Sequence, residues 1–262
     1  DGTVHWKVAA ERDRLSFAAA DGRVFTVDYW LPDRRRRGEE KDRTCTLRAL
    51  DIETAGPLWQ KKFELPGELL NSPRARWLQD NVLPLSPYLS YSKEQDALLL
   101  SASYSVVAAF RGGDGRTLWD YNQRSIAIER GRPPVLISDR FVTRAGRVYN
   151  LLTGEAVGER LWSGLRACNR AIANRESIFV RDGLAMACDF RSGRKTYFMS
   201  TRSGCTNNLI PADGVLAAPN FAVGCACNYP VITSFAAVHM PKAGQWRTAS
   251  RSRDDRAITS RK

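Results

Sequence analysis

The sequence predicts an all-β fold of short antiparallel strands, and two observations support this prediction. Apolar segments of four to six residues alternate with turns that carry glycine along most of the chain. A six-residue frame also recurs: it starts with a turn former, usually has glycine next, and ends at Trp or Tyr in its clearer copies. The frame begins at positions 1, 54, 114, 153 and 192. The last two steps are 39 residues each. A period of about 40 residues with four short strands per unit is typical of a β-propeller blade.

Each repeat unit predicts the same order of elements. It opens with a strand-forming run, as at 97–101 or 177–180, and a short turn follows, often with glycine as in Asp21-Gly22. Glycine is favoured there because it adopts a positive φ at little cost. The next strand alternates in polarity, and the frame turn then leads to an outer strand. This spacing favours an antiparallel meander over a βαβ arrangement.

The large side chains that close the frames are predicted to pack between adjacent blades. A four-stranded unit cannot bury both faces alone, so it must stack face to face with its neighbours. An aromatic ring at the end of each frame could fill the gap between two stacked sheets. The predicted blade-packing residues are Trp6, Trp59, Trp119 and Tyr197.

The repeats predict one propeller domain over residues 1–242 and a basic, disordered tail over 243–262. The first frame begins at residue 1 and would need three strands before it. We therefore expect an incomplete ring of about five blades and a chain that is the C-terminal part of a larger propeller. Polar or proline-rich insertions at 32–43 and 66–87 interrupt the period.

Charge and hydropathy argue against nucleic-acid and membrane partners. The net charge is +12, but much of the excess lies in Arg34–Arg37 and in the tail after residue 247. A surface that reads nucleic acid interleaves aromatic and basic side chains, and these runs do not. No apolar run reaches the roughly 18 residues that a membrane span requires.

Six cysteines favour disulfides in an oxidising compartment, and hence a periplasmic or secreted location. No pair has the CxxC spacing of a zinc ribbon, so no metal site is predicted. Cys168 could pair with Cys188 within one blade, and Cys205 with either of two later cysteines. The connectivity stays open. The disulfide candidates are Cys168, Cys188, Cys205, Cys225 and Cys227.

The sequence provides no residue for a catalytic role, and we lean against an enzyme. The two histidines, His5 and His239, do not accompany a GxSxG nucleophile turn. Most acidic residues, such as Asp114 and Asp213, lie in turns, where a carboxylate caps its own backbone. This explanation accounts for them without glycosidase chemistry.

The frames resemble the pyrroloquinoline-quinone (PQQ)-like repeats of quinoprotein-type propellers. The segments 35–40, 151–155, 202–206, 225–229 and 233–241 are similar to large exported bacterial proteins with such repeats, best known from planctomycete-type genomes. The family includes quinone-dependent dehydrogenases and non-enzymatic scaffolds such as the outer-membrane assembly lipoprotein. The resemblance implies an exported propeller.

The dehydrogenase is the alternative function, and it would require PQQ with Ca²⁺. Dehydrogenases of this family usually carry two adjacent cysteines, whereas Cys225 and Cys227 are separated by one residue. We expect no cofactor and a non-catalytic scaffold that binds a protein, peptide or carbohydrate, or the remaining blades of a parent protein. The predicted partner-binding loop residues are Arg34, Arg35, Arg36, Arg37, Trp77, Tyr88, Tyr91, Trp162 and Tyr229.

Overall fold

The computed structural model describes residues 3–9, 14–28, 44–66, 87–102, 105–123, 133–165, 169–204, 208–219 and 234–238. Within these ranges every regular element is a β-strand, and the strands form five antiparallel sheets. The predicted all-β class and the predicted number of about five blades are both confirmed.

Within each sheet the strands lie in sequence order, as a meander requires. Sheet 1 contains β1 (Arg14–Ala20), β2 (Arg23–Asp28), β3 (Thr44–Asp51) and β4 (Pro57–Glu64). Sheet 2 contains β5 (Pro87–Ser92), β6 (Ala97–Ala102), β7 (Ser105–Arg111) and β8 (Thr117–Asp120). Sheet 3 contains β9 (Val135–Ile137), β10 (Arg140–Val142) and β11 (Val148–Asn150). Sheet 4 contains β12 (Ile172–Ala173), β13 (Ser177–Asp182), β14 (Leu184–Asp189) and β15 (Lys195–Phe198), and sheet 5 contains β16 (Ile210–Ala212), β17 (Val215–Ala218) and β18 (Phe235–Val238).

Sheet 3 has three strands in the described residues because its frame is a weak copy. After β11 only an isolated bridge joins Tyr149 to Ala156. The frame then reaches Gly158, which has a φ of 64°. A left-handed residue at this point ends the extended backbone that a fourth strand would need.

The hydrophobic core lies between the sheets, in four clusters that each join two consecutive sheets. Strand β6 shows the arrangement clearly, since Leu98 and Leu100 pack toward sheet 1 whereas Leu99 packs toward sheet 3. All three side chains are fully buried. A strand covered on both faces can be apolar at every position, which explains the continuous run of leucines.

The first strands of successive sheets lie next to one another, with β5 between β1 and β9, and β9 in contact with β12. The sheets therefore stack with their first strands innermost. In the described part of the chain they do not close into a ring. Phe17 on β1 is 68% exposed, and Val238 on β18 is 53% exposed.

Candidate functional site

The frame tryptophans connect neighbouring sheets through one recurring hydrogen bond. In each case the indole N–H donates to a carbonyl oxygen in the turn that leads into the next frame, at the residue two positions before that frame begins. The donor–acceptor pairs are Trp6 to Ile52 at 2.8 Å, Trp59 to Gly112 at 2.7 Å and Trp119 to Leu151 at 2.9 Å. These residues set the spacing of the sheets and hence the positions of their innermost strands.

A cation–π contact joins two of these innermost regions. The guanidinium carbon of Arg170 lies 4.4 Å from the ring centroid of Tyr88. Tyr88 is on β5, the innermost strand of sheet 2. Arg170 lies two residues before β12, the innermost strand of sheet 4. Both side chains are partly exposed. We call these two residues the axial pair, and it is the candidate functional site.

Side-chain amide and hydroxyl groups hold the backbone around Arg170. Its N–H donates to the side-chain oxygen of Asn208 at 3.1 Å. The neighbouring Asn169 donates from Nδ2 to Oγ of Ser203 at 3.2 Å and accepts the backbone N–H of Arg181 at 3.3 Å. Asn169, Ser203 and Arg181 are each at least 95% buried. These hydrogen bonds hold the backbone from which the Arg170 side chain projects.

The electrostatics of the axial pair are cationic. Among the residues that the structure describes, Arg170 has no carboxylate within ion-pair distance. A second guanidinium, that of Arg181, lies in the same network and donates from Nη1 to the carbonyl oxygen of Ser203 at 3.1 Å. The site can therefore attract an anion, and its aromatic face can contact a planar or apolar group.

Comparisons with known proteins establish the fold. No family model matches the sequence, and no curated protein matches it. Among solved structures, BamB from Moraxella catarrhalis superposes with a TM-score of 0.51 at 18% identity, covering 84% of this chain and 58% of BamB. The chain thus spans 58% of the length of that neighbour.

The fold of this chain is that of a β-propeller, with described sheets that do not close. Two further propeller structures are more distant. A quinohemoprotein alcohol dehydrogenase from Pseudomonas putida HK5 has a TM-score of 0.35 at 12% identity, with coverage of 82% and 38%. TolB from Acinetobacter baumannii has a TM-score of 0.28 at 12% identity, with coverage of 74% and 51%. At these identities the likeness concerns the fold alone.

On this propeller, Tyr197 does not occupy the position predicted for it between two sheets. Its side chain is 41% exposed, and its hydroxyl donates to Asp182 Oδ2 at 2.9 Å within sheet 4. Burial and this hydrogen bond raise the pKa of Tyr197. The Tyr197 hydroxyl has its hydrogen-bond acceptor in its own sheet, whereas the indole N–H of Trp59 or Trp119 has its acceptor in the next sheet.

Trp162, predicted to be a partner-binding loop residue, is a core residue. It is 4% exposed and packs between sheets 3 and 4. Its indole N–H donates to the carbonyl oxygen of Arg144 at 2.7 Å. A Cβ on Gly146 would lie 2.5 Å from the Trp162 carbonyl oxygen, so the backbones approach as closely as glycine permits.

Tyr91, also predicted to be a partner-binding residue, packs between sheets 1 and 2 and remains partly exposed. Its ring lies 4.5 Å from that of Phe25, and its hydroxyl donates to Asp96 Oδ1 at 2.8 Å. Arg23 donates from Nη1 to the same oxygen at 2.9 Å, which links sheets 1 and 2. Burial and the hydrogen bond to Asp96 raise the pKa of Tyr91 to about 12.

Cys188 is a free, buried thiol on β14, so the structure does not support its expected disulfide with Cys168. The side chain packs in the apolar cluster between sheets 3 and 4. Cys45 is likewise buried and outside any disulfide, and its Sγ donates to the carbonyl oxygen of Phe63 at 3.4 Å. The other predicted site residues lie outside the described ranges, and their assignments stay predictions: Arg34, Arg35, Arg36, Arg37, Trp77, Tyr229, Cys168, Cys205, Cys225 and Cys227.

The described residues contain no group of three or more His, Cys, Asp or Glu side chains arranged to hold a metal ion. They also contain no helix long and apolar enough to cross a bilayer.

Arg170 was missed by the sequence analysis because no local signal marks it. It is one arginine among many in a basic chain, outside every frame and every charge run. Only the neighbouring Asn169, an amide next to an arginine before a short strand, hints at a hydrogen-bonded position. That hint is too common to be predictive.

Proposed function

We propose that this propeller is a non-catalytic scaffold that binds a protein or peptide partner, with the axial pair at the centre of the contact. The observation that carries the proposal is the stacking of Arg170 on Tyr88 across two different sheets. Arginine and tyrosine are enriched among the residues that dominate interface energetics. A guanidinium that is already ordered loses less entropy when a partner binds.

The surrounding structure supports binding more than chemistry. The hydrogen bonds of Asn169, Asn208 and Ser203 restrict the backbone at the site. The indole hydrogen bonds of Trp59 and Trp119 hold neighbouring sheets together. The clearly lowered carboxylate pKa values, those of Asp51, Asp96 and Asp189, belong to residues with hydrogen-bond partners in turns. The resemblance to exported propellers supports a periplasmic or secreted location, whereas the two described cysteines form no disulfide and add no support.

Selection from a random peptide library displayed on phage tests this proposal. The library is panned against the full chain, and the selected peptides are then measured for affinity to wild type, Arg170→Ala and Arg175→Ala. Arg175 is an exposed arginine in the same sheet, in the turn before β13, and serves as the matched control. We expect the Kd of the selected peptides to rise about tenfold or more with Arg170→Ala, which corresponds to a loss of about 1.4 kcal/mol in binding free energy. Arg175→Ala should leave the Kd unchanged.

Peptides that bind all three proteins equally would contradict the assignment of the axial pair as the binding site. Thermal unfolding of each variant provides the control for folding. Because Arg170 is partly exposed, its truncation is expected to leave the midpoint close to that of wild type.

A further inference from the structure

The position of Arg170 bears on what kind of group the axial pair can receive, since its guanidinium carbon lies over the Tyr88 ring. A guanidinium carries five N–H donors in a planar fork, and contact with a ring does not take them up as a hydrogen-bond acceptor would. In the described part of the chain no side chain or carbonyl takes up these donors, since the recorded hydrogen bond of Arg170 is made by its backbone N–H. The site therefore presents a planar fork of donors beside an aromatic ring.

The charge of this fork favours an anion over a neutral ligand, because none of the ion pairs among the described residues includes Arg170. A planar fork matches a carboxylate bidentately, and such charge-assisted pairs are among the stronger hydrogen bonds in proteins.

We propose that Arg170, stacked on Tyr88, binds a carboxylate of an acidic peptide segment. The guanidinium donates two parallel N–H bonds to the carboxylate oxygens, and the Tyr88 ring holds the guanidinium plane. A single accessible arginine suits a singly charged group. This inference rests on the proposed function for the choice of a peptide as ligand, but it is tested with a defined probe.

The test is fluorescence anisotropy with a labelled peptide of six glutamates, and a six-glutamine peptide as the uncharged control. A chain with a net charge of +12 attracts polyanions non-specifically, so the variants must preserve charge. Arg170→Lys keeps the charge but loses the planar fork, and Arg175→Lys makes the same change at the matched exposed position. We expect about a tenfold weaker Kd for Arg170→Lys and no change for Arg175→Lys.

Two substitutions at Tyr88 test the role of the ring. Tyr88→Phe keeps the aromatic face and is expected to bind as wild type does. Tyr88→Leu removes the cation–π platform and is expected to weaken binding by about threefold or more. A Tyr88→Leu protein that binds as tightly as Tyr88→Phe would overturn the role of the platform.

The carboxylate assignment would be overturned if the six-glutamate peptide did not bind, or if Arg170→Lys bound it as tightly as wild type. It would also be overturned if inorganic phosphate displaced the labelled peptide at a lower concentration than the dicarboxylate succinate does. Each of these results leaves the proposed function to its own test, because peptides selected from a random library need not be acidic. Conversely, binding of the six-glutamate peptide through Arg170 supports the inference even if the phage library selects peptides that bind elsewhere on the protein.

Discussion

The indole N–H of Trp119 donates to the carbonyl oxygen of Leu151 at 2.9 Å, which ties the outer strand of sheet 2 to the frame turn of sheet 3. The indole is 1% exposed, and its ring stacks on that of Phe141 with centroids 5.8 Å apart. Its other neighbour is Gly154 in the same turn, where a Cβ would lie 2.7 Å from the indole. One tryptophan thus combines a directed hydrogen bond with a contact that only glycine allows.

Substitution of Gly154 by alanine should measure that contact directly. Gly193 occupies the equivalent frame position in sheet 4 with nearly the same φ, 69° against 68°, but has nothing within 4 Å of its Cβ position. Both alanines adopt an unfavourable left-handed backbone, at about 1–2 kcal/mol. Only Gly154→Ala also overpacks, so its free energy of unfolding should fall by about 1–3 kcal/mol more.

Urea denaturation of the two alanine variants provides the comparison. Equal losses at positions 154 and 193 would mean that the Trp119 ring can shift at no cost, and that the close approach does not constrain the spacing of the sheets.

The hydrogen bond between Tyr91 and Asp96 should produce a stability change at alkaline pH. In the folded protein the pKa of Tyr91 is raised to about 12 by burial and by Asp96, against an ordinary value near 10. The stabilisation is therefore fully present below about pH 10 and is lost as the pH rises toward 12. Tyr91→Phe should lower the free energy of unfolding by about 1 kcal/mol at pH 8, with a gap that narrows above pH 10. A gap that stays constant from pH 8 to 11.5 would refute the coupling.

Asp96 should produce a stability change at acidic pH. Burial raises the pKa of this carboxyl, but the hydrogen bonds from Tyr91, Arg23 and the backbone of Gly113 outweigh it, so the pKa lies below 3.8. The stabilisation is present above about pH 4 and is lost as the pH falls through the folded value. Asp96→Asn should be less stable than wild type at pH 7 by about 1–2 kcal/mol, and the difference should shrink below pH 3.8. Asparagine tolerates the positive φ of 46° at this position, so backbone strain does not confuse the comparison.

Asp28 and Arg48 form a buried ion pair within sheet 1, and removing one partner should cost more than removing both. Arg48 also donates from Nε to Gln60 Oε1 at 3.1 Å. Asp28 is 1% exposed, so Asp28→Ala leaves a buried, poorly compensated guanidinium, at a cost of about 3–5 kcal/mol. The double variant Asp28→Leu/Arg48→Met should be more stable than Asp28→Ala in guanidinium chloride. The reverse order would show that the pair contributes net stability beyond packing.

The two described cysteines should behave as inert core thiols. Cys45 and Cys188 are both fully buried, and burial raises the pKa of the Cys188 thiol. Because the thiolate is the reactive form, neither should be alkylated in the native protein, with or without reductant. Mass spectrometry after denaturation should find both labelled without prior reduction. A Cys188 that needs reduction before labelling would restore its predicted disulfide.

Local sequence patterns predicted strands such as β6 and β13 because the forces that make them act over a few residues. Alternation along β2, the continuous apolar run of β6 and the glycines of the frame turns at 115, 154 and 193 each select a backbone conformation without reference to the rest of the chain. The frame also identified Trp59 and Trp119, whose hydrogen bonds join successive sheets. It failed at Tyr197, because the partner of its hydroxyl could not be read from the repeat.

By itself the sequence determined the all-β class, the meander and the approximate number of sheets, since these follow from periodicity and turn chemistry. Only the tertiary structure decided which side chains meet across sheets. Tyr88 and Arg170 are far apart in the chain and share no motif, yet the stacking of sheets around their first strands brings them to 4.4 Å. The stacking likewise buries Trp162 and leaves Tyr197 exposed. Contacts between sheets depend on the position and rotation of whole strands, which no short stretch of sequence encodes.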